Sequence, residues 1–242
     1  MRWLPLCLAA AGLFDHLVAA EDTVSVRLSD GFTCPVGSDG AKKYYKARGV
    51  QPNGHLGEDW NGVGGGDTDL GDPVYCASHG IVVFARDYHM GWGNVIIVRH
   101  AYLEAGETRF VDSLYGHLQT IMVRENQQVS RGEKIGTIGN NHGMYDAHLH
   151  FEMRKDIHVG MFRQAYPRDA RTYWNPTQFI AAHQSLAGNG VLAQVPVNTF
   201  ATIAPPLFAG PAEATPIVRS PSVSRKTPFK VDRFSDLRND GH

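Results

Sequence analysis

Two short histidine motifs hold the residues best able to do chemistry. His55-Leu56-Gly57-Glu58-Asp59 sets an imidazole and a carboxylate four residues apart beside a Gly-rich stretch, and His148-Leu149-His150 sets two imidazoles two apart in the run AHLHFEMR. In a strand, residues two apart point to one face, so His148 and His150 can converge while Leu149 enters the opposite, apolar face. Two imidazoles on one face suit either a divalent metal or acid/base work. A carboxylate and a third imidazole from a distant segment would allow a site of two histidines and one carboxylate, a set that zinc accepts while keeping a fourth position open. Taken singly, each motif is more often a pair of surface or satisfied core residues than a metal site. Their weight comes from their order in one β-rich stretch, with His117 between them at the end of SLYGH.

The elements that must position these side chains read as strands. From Pro73 to Met153 the chain runs through Pro73 to Ala77, Gly80 to Ala85, Asn94 to His100, Arg109 to His117, Lys134 to Ile138 and His148 to Met153, each of strand length and several rich in Val and Ile. Turn chemistry separates them at His79-Gly80, Gly91-Trp92-Gly93, Arg131-Gly132 and Gly139-Asn140-Asn141. The fold class expected is mainly β, an antiparallel sandwich or barrel-like core with long loops. Asn61 to Asp72 (NGVGGGDTDLGD) reads as a loop. Asn175-Pro176 signals one short C-terminal helix continuing to His183, with Asn as cap and Pro in the first turn.

Six ordered blocks between Gly54 and Arg154 now matter together: HLGEDWN, GDPVYCASHGIVVFA, GWGNVIIVRH, SLYGHLQTI, VSRGEKIGTIGN and AHLHFEMR. In this series the chain resembles the lysostaphin-like, or LytM-type, zinc endopeptidases that cut peptidoglycan peptides. The resemblance implies that His55, Asp59 and His150 bind one zinc ion. It further implies that His117 and His148 stand beside the metal as non-ligand histidines that orient or deprotonate a water. No HExxH signature is present, so acid/base work falls to those two imidazoles. The implied substrate is a peptidoglycan stem or cross-bridge peptide. All five positions are filled, which favours hydrolysis over the alternative, a catalytically silent wall-binding or hydrolase-activating module. The chain departs from the family pattern in Met144, Tyr145, Asp146 and Ala147 before HxH, where Tyr145 and Asp146 either narrow substrate choice or form an ordinary exposed loop. Glu58 reads as solvent-exposed; His79, His89, His100, His142 and His158 read as structural or surface residues. Trp60 and Trp92 are candidates both for lining a groove and for burial.

The remaining features bound the setting. Residues 1–20 have the layout of a signal peptide, a basic start at Arg2, an apolar stretch from Leu4 to Leu13 and a small-residue end at Ala20, although Asp15 and His16 interrupt it. The expectation is an exported protein, periplasmic, in the cell envelope or extracellular, with no transmembrane segment. Cleavage would leave Cys34 and Cys76, either bridged across a loop of about 43 residues or present as two thiols. Neither has a partner at zinc-knuckle spacing. Formal net charge is -1, from 23 Lys+Arg against 24 Asp+Glu, so no global field draws the chain to nucleic acid or an anionic membrane. The peptidase domain is expected over residues 21–184, and residues 185–242 as a Pro-rich, partly basic, disordered tail: seven of the 13 prolines fall from Pro196 to Pro228, and no Trp or Tyr follows Trp174.

Overall fold

The computed structural model describes residues 22–37, 40–51, 54–89, 91–161, 170–188 and 190–200. The expected signal peptide and the tail beyond Phe200 lie outside them. By its contacts the chain divides after Thr202, and every described residue belongs to the first unit. No helix among the described residues is long and apolar enough to cross a membrane.

Thirteen strands and one α-helix are described, in an antiparallel, mainly β architecture. The strands are β1 (Thr23–Arg27), β2 (Tyr44–Arg48), β3 (Glu58–Gly62), β4 (Pro73–Tyr75), β5 (Gly80–Asp87), β6 (Asn94–Glu104) and β7 (Glu107–Leu118), then β8 (Thr120–Ile121), β9 (Gln128–Val129), β10 (Lys134–Thr137), β11 (Leu149–Arg154), β12 (Tyr173–Trp174) and β13 (Leu192–Pro196). The helix, α1, is Pro176–Ala182, and the side chain of Asn175 accepts from the Gln178 backbone N–H as its cap. The large sheet has the order β2-β3-β11-β7-β6-β5-β9, with β12 added beside β11. A smaller sheet of order β4-β10-β8 packs over one of its faces, and β1 pairs with β13 as a separate ribbon.

Hydrophobic alternation decides which face of the large sheet carries chemistry. Leu149, Phe151 and Met153 of β11 and Tyr115 of β7 are fully buried in the core beneath the smaller sheet, together with Val74, Ile135 and Phe179. Burying a side chain such as Leu149 or Phe151 is worth about 1.5–3 kcal/mol. A one-residue slip of β11 would drive His150 into this core and expel Leu149 and Phe151, so burial fixes the register that sends His150 to the other face.

Three sequence-based expectations need correction. Asn61 and Gly62 belong to β3 rather than to the loop expected from Asn61 to Asp72, because β3 is held between β2 and β11 by their ladders. The tail expected from residue 185 overlaps β13, whose Val195, with Val197 just beyond it, is buried against Val26 and Ile81; pairing with β1 offsets an ordering cost that composition alone does not. Glu58 is fully buried, since Lys46 Nζ lies 3.0 Å from its Oε1 and Thr177 Oγ1 lies 2.7 Å from its Oε2. Its carboxylate ties α1 and β2 to β3. Cys34 and Cys76 are free thiols.

Candidate metal centre

The centre is assembled from a row across the sheet and one loop residue. His150 of β11 lies directly opposite Asp59 of β3, and Gly116 of β7 is opposite His150 on its other side. Cross-strand partners share a face, so the row places a carboxylate, an imidazole and a bare glycine side by side on the face away from the main core. His55 joins from the turn before β3, where it bridges Gln51. The turn can approach β11 because residue 57 is glycine: a Cβ there would stand 2.6 Å from the Phe151 carbonyl oxygen and 2.9 Å from His150 Cε1.

Three ligand-type atoms meet at one point. His55 Nε2 and Asp59 Oδ1 are 2.9 Å apart, His55 Nε2 and His150 Nδ1 are 3.0 Å apart, and His150 Nδ1 and Asp59 Oδ1 are 2.9 Å apart. Each imidazole is oriented by its other nitrogen. The carbonyl of Gly49 can only accept, so His55 Nδ1 donates to it at 2.9 Å and Nε2 turns its lone pair inward. The carboxylate of Glu152 likewise takes the His150 Nε2 proton at 2.9 Å and leaves Nδ1 with its lone pair toward the centre. With each imidazole singly protonated the three atoms turn lone pairs to one point, which fits a cation, and edges near 3 Å match a coordination tetrahedron with bonds of about 2 Å; with a second proton the imidazoles donate to Asp59 instead. Among the described residues this is the one group of three or more His, Cys, Asp or Glu side chains close enough to share an ion.

The electrostatics agree. Burial would raise the Asp59 pKa, but hydrogen bonds from His150 and His55 outweigh it and hold the carboxyl well below its ordinary range. Burial would lower that of His150, but its contacts with Asp59 and Glu152 outweigh it and push it up to about 9. Both shifts mark a place where positive charge is stabilised. Behind it, Glu152 Oε2 accepts from Arg154 Nε at 2.7 Å, Arg154 pairs across the ladder with Asp112, and Asp112 takes both Nε and Nη2 of Arg99 at 2.7 and 2.8 Å. Arg154, Asp112 and Arg99 are fully buried. His150 is therefore the cleft end of a buried row of alternating charges, which the sequence reading missed; the alternating acid and base at Glu152 and Arg154 on the His150 face of β11 was the available signal.

His117 and His148 flank the three atoms. Their rings are 4.8 Å apart, and His117 lies 5.7 Å from His150 between ring centroids. Gly116 faces the cleft, so regular alternation would send His117 into the core; instead the β6/β7 register shifts here and His117 has φ +60°. The irregularity turns the ring back into the cleft. Its Nδ1 donates to the Trp92 carbonyl at 3.1 Å, leaving Nε2 unprotonated, and burial followed by the neighbouring His150 and His148 lowers its pKa to about 3. His148, just before β11, donates from Nδ1 to the Asp146 carbonyl at 2.8 Å, and its Nε2 is 3.9 Å from Asp59 Oδ1. Both imidazoles thus line the same cleft with Nδ1 held by a backbone carbonyl.

The space is an open cleft of about 300 Å³ lined by all five of these residues, with Arg48, Leu56, Trp92 and Tyr145 around them. Trp92 packs edge-on to His150 at 5.3 Å, whereas Trp60 packs against the main core. Tyr145, left open between a cleft role and an ordinary loop, stands 5.1 Å from the His117 ring. The other histidines are elsewhere: His100 is fully buried on Ser113, His79 is bound to Asp30, and His142, His89 and His158 sit at the surface on Asp87 and Asp156.

A β scaffold here brings two imidazoles and a carboxylate, a set able to hold a metal ion, to an open cleft flanked by two more imidazoles. Residues 55–161 match the model of peptidase family M23, and the chain belongs to that family. It is 38% identical over 86 residues to lipoprotein NlpD of Yersinia enterocolitica, covering 35% of this chain and 78% of that one. It is 38% identical over 84 residues to the peptidoglycan DD-endopeptidase ShyA of Vibrio cholerae, covering 35% of this chain and 18% of that one. To the murein hydrolase activator NlpD of Escherichia coli it is 38% identical over 86 residues, 35% of this chain and 20% of that one. The match thus spans about a fifth of the latter two relatives.

Proposed function

We propose that the protein is an exported zinc endopeptidase that hydrolyses peptide bonds in peptidoglycan stem or cross-bridge peptides. The observation that carries this reading is the convergence of His55 Nε2, Asp59 Oδ1 and His150 Nδ1, within about 3 Å of one another, in a cleft that two further imidazoles share. These three side chains would hold the zinc, one ion per chain, and a zinc ion bound there would supply Lewis acidity to a water and to the scissile carbonyl. His148 and His117 then divide the proton work. One Nε2 takes a proton from the attacking water and passes it to the leaving amine; the other steadies charge on the carbonyl oxygen only as a donor, when its imidazole carries both protons. Membership of family M23 and the named activity of the Vibrio relative support the substrate class.

A second reading has its own observation: a relative of equal identity is named for activating murein hydrolases. Incubating the zinc-loaded protein with purified peptidoglycan and weighing the released peptides separates the two. Release of peptides with new amino and carboxyl ends supports the peptidase. No release alone, with increased release when another murein hydrolase is added, supports the activator.

A further inference from the structure

One cleft residue owes its place to a break in the sheet. In the β2/β3 ladder Lys46 pairs with Trp60, yet Arg48 pairs with Asp59, so one extra residue, Ala47, is inserted in β2. Lys46 points to the core face, where its Nζ reaches Glu58 and Thr177. In a regular strand Arg48, two residues on, would follow it to that face. The bulge turns Arg48 over, beside the metal ligand Asp59 and into the lining of the cleft with His55 and His148.

Charge gives this placement a meaning. Among the described residues, the acids lining the cleft are Asp59 and Glu152; Asp59 belongs to the three-atom cluster and Glu152 is bound to His150 and Arg154. Arg48 is exposed and has no hydrogen bond, ion pair or ring contact among the described residues. A guanidinium offers a planar fork of donors that matches a carboxylate bidentately, and next to a divalent cation an unbalanced Arg makes the rim more attractive still to an anion.

We propose that Arg48 is a specificity residue that binds a free carboxylate of the substrate peptide beside the scissile bond, so that the preferred substrates are acidic peptides. This rests on the peptidase reading and names the substrate class within it.

The test uses soluble peptidoglycan peptides in two forms, native and with their carboxyls converted to carboxamides. Affinity is measured by titration calorimetry on the zinc-loaded full chain carrying His117→Ala, which prevents turnover during the titration. Native peptides should bind about tenfold more tightly than amidated ones, the scale of a charge-assisted hydrogen bond. Adding Arg48→Gln should erase that ratio with zinc content unchanged, and Arg48→Lys should restore part of it. An undiminished ratio in Arg48→Gln, or equal binding of both forms with Arg48 present, overturns the inference, as does failure of both to bind. Hydrolysis by the unmodified protein is scored separately. Hydrolysis without a carboxylate preference overturns Arg48 alone; a preference erased by Arg48→Gln without hydrolysis overturns the peptidase reading alone.

Discussion

The row proposed to hold a metal ion and the rim of its cleft are built by opposite means. Asp59 and His150 face each other in an unbroken ladder whose reverse side, Leu149 and Phe151, is locked into the core. His117 and Arg48 reach the same space only because a strand breaks its alternation, β7 at the shift beside Gly116 and β2 at Ala47. Regular pairing gives Asp59 and His150 a placement that any loss of register would destroy. Irregularity places the residues proposed to act on substrate, and such positions can change without disturbing the ladder beneath them.

The sharpest way to break this comparison is to remove a member of the row. Asp59→Ala should lose its zinc and all hydrolysis, as read by metal analysis and peptide release; a variant that keeps one zinc per chain removes Asp59 from the centre. Next in size, His117→Ala should keep its zinc while hydrolysis falls by about 10²–10⁴-fold. Full activity in that variant would dissolve the distinction between row and rim. Glu152→Gln should weaken zinc binding by about 10–100-fold in chelator competition, since it alters the partner that orients His150 Nε2. Unchanged affinity would limit the role of the buried charge row to the fold.

The smallest effect concerns the sheet that carries both regions. Burial lowers the His100 pKa from 6.5 to about 4. The folded chain therefore keeps His100 neutral, while the unfolded chain takes up that proton below about pH 6.5, so acid favours unfolding and the contribution is complete only above that pH. Between pH 7 and pH 5 the loss should be roughly 2 kcal/mol. In guanidinium denaturation, His100→Gln should show that much less change over the same interval; an identical slope would mean that His100 is not held neutral in the fold.

How far the sequence reveals each region follows from the same contrast. The Val- and Ile-rich strands β5, β6, β7 and β11 are readable because their burial repeats with the period of the strand. HxH and HxxxD are readable because Asp59 and His150, paired on a regular ladder, each have a further histidine within four residues in sequence. Strand β2, YYKAR, is an edge strand that is mostly exposed and interrupted by a bulge, so no alternation announces it or Arg48. Glu58 reads as solvent-exposed because the partners that bury it, Lys46 and Thr177, lie 12 and 119 residues away. Strand β13 hides in a Pro-rich stretch, where pairing with β1, far away in sequence, supplies the order that composition does not.

The direct test of the central claim is zinc K-edge absorption on the zinc-loaded full chain. The account predicts two imidazole nitrogens and one carboxylate oxygen at about 2.0–2.2 Å, with that pattern lost in Asp59→Ala. A sulfur shell near 2.3 Å, or a spectrum unchanged in Asp59→Ala, would contradict it.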